Sequence, residues 1–411
     1  MENLLSEFPH RKALEQWFRE NGTGSIRDVN AHIHSPYSFS AFNDLRQAFE
    51  MARNEGVRVL GINDFNTTEG YAEFNSLSSE YRIFPLFNIE FMGLMKEEQQ
   101  KGIRINDPNN PGRIYFSGKG LDFPVNIQAE EAEKLHGVVE KSHLQVRAMI
   151  GKLNRYLEGI DGGLKLDFKE VQRYYAKNMV RERHIALALR VMIFERFETP
   201  AERTGFLKQL YGNHDPAADI NNNAEVENEI RGRLLKSGGV AFVEEDPGAF
   251  LDMEEIISII TGAGGIPCYP VLLDDPRGQF TEFEADMQSL CGKLRSLNVS
   301  CIELIPGRND HGILKRFVKY FTGMGFVVLL GTEHNTPSLE PMKVSARGGV
   351  PIDDELSLAA YNGACVIAAH QYLRVKGDGT GYSPKGEAGK DKDLKAGLEE
   401  LGKAVIERYL I

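Results

Sequence analysis

Several classes of protein are excluded by what the sequence has little of. Cysteine is scarce: Cys268, Cys291, Cys301 and Cys365 are the only four, and none pair in a C-x-x-C spacing. That rules against a disulfide frame or a thiolate zinc site and fits ordinary buried thiols in a reducing compartment. Long apolar runs are missing, since stretches such as "FVVLL" (326–330) are strand-sized. A membrane helix needs about 20 apolar residues in succession. The opening "MENLLSEFPHRKALEQWFREN" carries charges throughout and lacks the apolar core of a signal peptide. Positive charge is in deficit, with 48 Lys and Arg against 59 Asp and Glu for a net charge of −11. Tight non-specific nucleic-acid binding draws on phosphate neutralisation, so this balance argues against it. A small phosphate ester held by a metal ion stays open, because the ion dominates the local field. The expectation is a soluble, cytoplasmic protein with no membrane partner, and its 42% apolar content is enough for a full core.

What the chain does contain is alternation. Residues 1–25 form an N-terminal segment with an amphipathic helix over 5–21. Over 26–123, strand-like runs ("VNAHIHS", "VRVLGIND", "IFPLFNIEFMGL") are separated by helical ones ("FNDLRQAFEMARNEG", "TEGYAEFNSLSSEY"), the pattern of βα units on a parallel sheet. Residues 124–245 are charged and mostly helical in period, which reads as an insertion. The alternation resumes over 246–345, where the helices "DMEEIISIITGAGG", 281–297 and "HGILKRFVKYFTGMG" precede the strands "IPCYPVLL", "VSCIELIP" and "FVVLLGTEHNTP". The tail, 346–411, is a helical extension of two segments joined by a Gly- and Lys-rich link, "KGDGTGYSPKGEAGKDK", which reads as mobile. Parallel βα logic at both ends of an α/β chain points to a closed or nearly closed barrel.

In such barrels reactive side chains sit at the C-terminal ends of strands. The stretch "DVNAHIHSPYSF" (28–39) puts His32 and His34 on one face of a strand at about 7 Å spacing, able to converge on one ion or simply to be neighbours. Later strand ends supply Asp64, Glu90, and the adjacent Glu333 and His334. Two histidines with two or three carboxylates make an N/O site suited to Zn, Mn or Fe.

With these segments together, "NAHIHSPYS", "GINDFNTTEG", "NIEF", "RHIALAL", "AGGIPCYP", "CIEL" and "GTEHNTP" follow the order of motifs in the polymerase and histidinol phosphatase (PHP) family. The chain resembles most the insertion-carrying branch of nucleotide and oligonucleotide phosphoesterases, over roughly residues 26–340. The resemblance implies a distorted (β/α)7 TIM-like barrel and up to three divalent metals that activate water and neutralise phosphate. His32, His34 and Glu90 match family ligand positions, and Glu333 stands where the family has an aspartate. The ligand set is partly degenerate. Phe65 follows Asp64 where a histidine is expected, and Tyr115 and Tyr269 (or a displaced Asp274) stand near two other lost imidazoles. The last motif offers His334, shifted by one, or Asn335. One ion is therefore expected, held by His32, His34, Glu90 and Glu333, with His334 a further candidate.

The remaining candidates each have two readings. Asp64 serves catalysis, or it caps a helix or steadies a ligand from behind. His184 sits near the phosphate, or it is a histidine at a helix N-terminus. Arg181 and Arg183 clamp a substrate anion, or they are solvated. Tyr115 and Tyr269 fill the volume of lost ligands, or they donate hydrogen bonds to substrate. The function expected is a metal-dependent hydrolase, foremost a phosphoesterase acting on a small phosphorylated metabolite or nucleotide through activated water. The alternatives are a hydrolase of an amide or ester on the same barrel, and a binding protein that has lost the chemistry.

Overall fold

The computed structural model describes residues 3–378, 381–382 and 392–411, so most of the Gly- and Lys-rich link lies outside the described residues. Seven strands form one sheet in strict chain order: β1 (Asp28–Ile33), β2 (Val57–Phe65), β3 (Phe84–Leu94), β4 (Arg113–Lys119), β5 (Ile266–Val271), β6 (Cys301–Leu304) and β7 (Val327–Leu330). The two edges meet where Ile33 bridges Glu333. There the His34 amide donates to the Glu333 carbonyl at 2.7 Å and the Glu333 amide to the His32 carbonyl at 2.9 Å. The result is a distorted, nearly closed (β/α)7 TIM-like barrel with a helical insertion and a C-terminal helical extension.

One strand corrects the expectation of purely parallel βα logic. β4 runs antiparallel to both β3 and β5. Only the short helix Lys96–Gln100 and a loop separate it from β3, and an antiparallel neighbour needs no long crossover. At the N-terminus the helix is also shorter than expected, starting at Arg11 after a 3₁₀ turn at Leu4–Glu7.

The sequence starts five of its helices, four outer ones and the helix Asp354–Lys376, with one device. Asp44, Asp252, Asp286, Asp310 and Asp353 each accept a hydrogen bond from a first-turn amide, those of Gln47, Glu255, Ser289, Ile313 and Leu356. Such caps contribute about 1 kcal/mol each and fix where each strand-to-helix loop ends. The apolar faces of the four outer ones pack on the outside of the barrel around Leu45, Phe49, Ile256, Leu290 and Phe317.

The barrel interior is layered. Val59, Phe84, Leu86, Ile266, Cys268, Cys301, Val327 and Leu329 pack against the buried helix Asp354–Lys376, which plugs the floor. Two residues further along two of these strands the side chains turn polar: Asn88 then Glu90 follow Leu86, and Glu303 follows Cys301. The helical segment 129–235 builds an apolar cluster of its own, centred on Leu153, Leu157, Ile185, Leu189 and Ile230. Among the described residues no helix is long and apolar enough to cross a membrane.

The floor helix is itself clamped by the helix Lys392–Leu410. Their closest approach is at Gly402, where an added Cβ would land on the Cys365 carbonyl. Gly402→Ala is expected to lower unfolding free energy by about 1–3 kcal/mol. Gly397→Ala, on the same helix but facing open space, should be neutral or stabilising by up to about 1 kcal/mol. Urea melts followed by circular dichroism would check both, and equal effects would contradict the clamp.

Candidate metal centre

His32 closes β1 from within the barrel, His34 follows its last residue, and Glu90 lies in the upper half of β3. Among the described residues they form the one group of His, Cys, Asp and Glu side chains whose ligand atoms all lie within 4.8 Å of one another. The two Nε2 atoms are 3.3 Å apart, and Glu90 Oε2 is 3.1 Å from that of His34 and 3.6 Å from that of His32. All three side chains are buried.

Hydrogen-bond partners assign the protons. His32 Nδ1 lies 2.9 Å from Glu303 Oε2, an oxygen that only accepts, so Nδ1 carries the hydrogen. His34 Nδ1 lies 3.3 Å from Ser38 Oγ, whose own hydrogen goes to Asp64 at 2.7 Å, so this Nδ1 also donates. Asn63 Nδ2, 3.1 and 3.0 Å from the two nitrogens of His32, is equidistant from both and so lies off both lone-pair axes. Each Nε2 therefore turns a bare lone pair toward the other, and Glu90 Oε2 joins them with no hydrogen-bond partner. Three facing acceptors repel unless a cation, or a proton taken up by Glu90, stands between them. Ligand bonds of about 2.0–2.1 Å in tetrahedral geometry give ligand–ligand edges of about 3.3 Å, so this donor set fits a divalent ion. Without one, burial pushes the Glu90 carboxyl up to about 8, with His32 working against it. Burial lowers the His34 imidazole.

Behind these three lies a second set of contacts. Asp64 accepts from the Ser35 amide at 2.7 Å and from the hydroxyls of Ser35 and Ser38, shaping the loop that carries His34. This is the supporting role; the following helix is capped at Gly70 and not by Asp64. Phe65, in the expected place of an imidazole, stacks on His34 at 4.7 Å, and Phe39 stacks at 5.5 Å. Glu303 on β6 and Lys119 on β4 are two contributors that sequence reading missed. Lys119 Nζ lies 2.5 Å from Glu303 Oε2 and 3.0 Å from Asn63 Oδ1, and Ser117 Oγ donates to Glu303 Oε1 at 2.5 Å. Although burial disfavours its charge, Lys119 and His32 hold the Glu303 carboxyl below the usual range. The signal was present: one charge in the four-residue strand "CIEL", and one lysine between Gly118 and Gly120, are charges with nowhere polar to go except each other.

Other expected residues are placed differently. Glu333 stands beside the trio but outside it, its carboxylate taken by Arg308, which lowers it against the effect of burial. It and His334 adopt φ of +65° and +54°, a left-handed turn that aims their backbone at the barrel seam. His334 is turned away: Nδ1 meets Thr332 Oγ1 at 2.7 Å, Nε2 donates to the Glu340 carbonyl at 2.8 Å, and the ring stacks on Phe42. Gly331 makes this turn possible, since a Cβ there would strike the backbone of His32. Tyr269 is not in the cleft. It is buried against Phe283 and donates to Glu284 at 2.8 Å. His184 accepts the Arg181 amide at 3.0 Å on Nδ1, and burial lowers its imidazole to about 4, which makes it a neutral residue of the helix start.

A cleft of about 1360 Å³ opens above the trio, lined by His32, Glu90 and Glu303 at its base. Phe39, Phe65, Tyr115 and Phe250 give it an apolar side. Tyr115 packs against Phe65 at 6.0 Å, and burial raises its hydroxyl. The insertion supplies a charged part of the wall, where Arg181, Arg231 and Lys236 crowd around one carboxylate, Glu182, with Arg183 next to it in the chain. Arg231 and Lys236 reach Glu182 at 2.9 and 3.0 Å, and Arg181 lies at 3.7 Å. Arg183 makes no ion pair among the described residues and sits over the Phe39 ring at 5.4 Å. Burial, and then Arg231, push it down to about 10.

No protein-family model matches the sequence, and no curated protein does. Among solved structures, the chain is similar to a candidate metal-dependent phosphoesterase from Bifidobacterium adolescentis, with a TM-score of 0.52 at 15% identity over 82% of this chain and 96% of that one. It is also matched to an amidohydrolase from Chromobacterium violaceum solved with sulfate and no metal, with a TM-score of 0.48 at 14% identity over 81% and 96%. The first likeness establishes a shared fold.

Protein purified without chelators is expected to carry about one divalent ion per chain by elemental analysis. His34→Ala and Glu90→Ala should each abolish that stoichiometry, and His334→Ala should leave it unchanged. Loss in His334→Ala, or retention in Glu90→Ala, would contradict the ligand assignment.

Proposed function

We propose that the chain is a metal-dependent hydrolase, and specifically a phosphoesterase acting on a small phosphorylated metabolite or nucleotide. One observation carries the reading: a buried His–His–Glu trio lies at the base of a cleft whose wall holds Arg183 without an ion-pair partner among the described residues, beside Arg181, Arg231 and Lys236 around Glu182. A guanidinium left without a carboxylate partner in that wall favours an anionic group of the substrate at that point.

Each residue has a part in this reading. His32, His34 and Glu90 would hold the cation, which when bound polarises a phosphoryl oxygen and lowers the pKa of water. Arg183, half-buried beside like charges and free of a carboxylate partner, is best placed to receive a phosphate, with Arg181 beside it. The forked guanidinium fixes the orientation of the phosphate against the trio. Phe39, Phe65 and Tyr115 exclude water from one side and offer planar surfaces to an organic group. The resemblance of the motif order to that of the PHP family, and the fold similarity to the Bifidobacterium protein, support the same reading.

Assay with phosphomonoesters and diesters, alongside neutral amides and esters, tests it in protein loaded with Zn or Mn. Turnover is expected on phosphate esters. Glu90→Gln should lower kcat at least about 100-fold. Arg183→Ala should raise KM about 10–100-fold with little change in kcat, the signature of a binding contact. The exposed His136, replaced by Ala, should change neither. Faster turnover of amides than of any phosphate ester would overturn the substrate class.

A further inference from the structure

We propose that Lys119 is a positioning residue for the metal centre, acting through Glu303 and Asn63 to hold the His32 imidazole with Nδ1 protonated and Nε2 turned toward the ion. The inference builds on the metal-centre reading, but its first test below does not depend on it.

Lys119 is fully buried, and its antiparallel strand brings it to the level of Ile266, the first residue of β5. It thus stands beneath the trio, on the floor side, and does not line the cleft. Substrate contact is therefore excluded. A lysine kept only for packing would be better replaced there by an apolar side chain, since burying an ammonium carries a large desolvation cost.

Its contacts show what it can do. An ammonium only donates, so Asn63 must present Oδ1 to it at 3.0 Å, which commits the other end of that amide to the His32 ring. The same ammonium donates to Glu303 Oε2 at 2.5 Å, the oxygen that accepts from His32 Nδ1 at 2.9 Å. Ser117 holds the other oxygen of Glu303. The carboxylate cannot rotate without losing Lys119 and His32 together. One ammonium therefore fixes the group at the edge of the imidazole and the group on its face. Outer partners of a metal-bound histidine typically alter metal affinity 10–100-fold.

The first experiment is ¹⁵N-histidine NMR on ion-free protein. Wild type should show His32 as the Nδ1–H tautomer, and folded Lys119→Met should show a mixture or the Nε2–H form. Because that variant leaves Glu303 unmatched, the pair Lys119→Met/Glu303→Gln is made alongside; it buries no unpaired charge and should show the same loss of tautomer. The second is Zn²⁺ affinity by competition with a chelating indicator. Each variant should bind about 10–100-fold more weakly than wild type, and the pair no more weakly than the single, because the residues act as one unit. An unchanged His32 tautomer in either folded variant overturns the proposal, as does unchanged Zn²⁺ affinity with a wild type that binds. A wild type that takes up no Zn²⁺ overturns the metal centre instead, and the tautomer comparison still decides the role of Lys119.

Discussion

Three lone pairs that face one another inside a protein are unfavourable, and this chain holds them there. His32 Nε2, His34 Nε2 and Glu90 Oε2 lie within 3.1–3.6 Å of one another, and the Glu90 oxygen has no hydrogen-bond partner. Much of the surrounding structure can be understood as what keeps that arrangement from relaxing. Glu303 and Ser38 take the outward protons of the two imidazoles, Asp64 holds the loop behind His34, and the aromatic rings of Phe39 and Phe65 deny the histidine room to turn. A cation is the natural resolution of the repulsion, and the site is arranged before one arrives.

Rigidity of this kind needs a scaffold that does not flex. The buried network draws on β1, β2, β4 and β6, which are not all neighbours in the sheet, so its hydrogen bonds cross the barrel lumen. Below it an apolar layer seals the floor against the helix Asp354–Lys376, and above it the insertion brings arginines over the opening. The seam is closed by backbone on both sides of Glu333, in a left-handed turn that costs about 1–3 kcal/mol per residue and persists because three backbone hydrogen bonds fix it.

The sequence made much of this legible. Strand and helix alternation, the barrel, the insertion and the helical tail all follow from periodicity, because each βα unit buries one face and leaves the same repeating trace. His32, His34 and Glu90 were recognisable as ionisable residues at strand ends, and the structure brings them together. The failures share a physical reason. β4 carries no crossover helix to announce it. Glu333 and His334 adopt positive φ, which reverses the direction that strand alternation assigns to a side chain. Tyr269 and His184 were placed by motif position, whereas a phenol beside Glu284 and a ring at a helix start satisfy their hydrogen bonds locally. Lys119 and Glu303 were overlooked because each looks isolated along the chain, 184 residues apart, and becomes a pair only across the lumen.

The floor of the barrel joins parts of the chain made far apart in time. Leu5, Phe8 and Leu14 share one apolar cluster with the strand interiors and with Leu401, Val405 and Tyr409. A chain emerging from the ribosome in order therefore has its first seven strands in hand well before the helices that cover their underside. Until those last helices dock, Val59, Phe84, Leu86 and Val327 have no permanent neighbours on that side. The helix Lys392–Leu410 therefore completes the barrel only by docking on the floor helix, and the strands' underside stays exposed until it does.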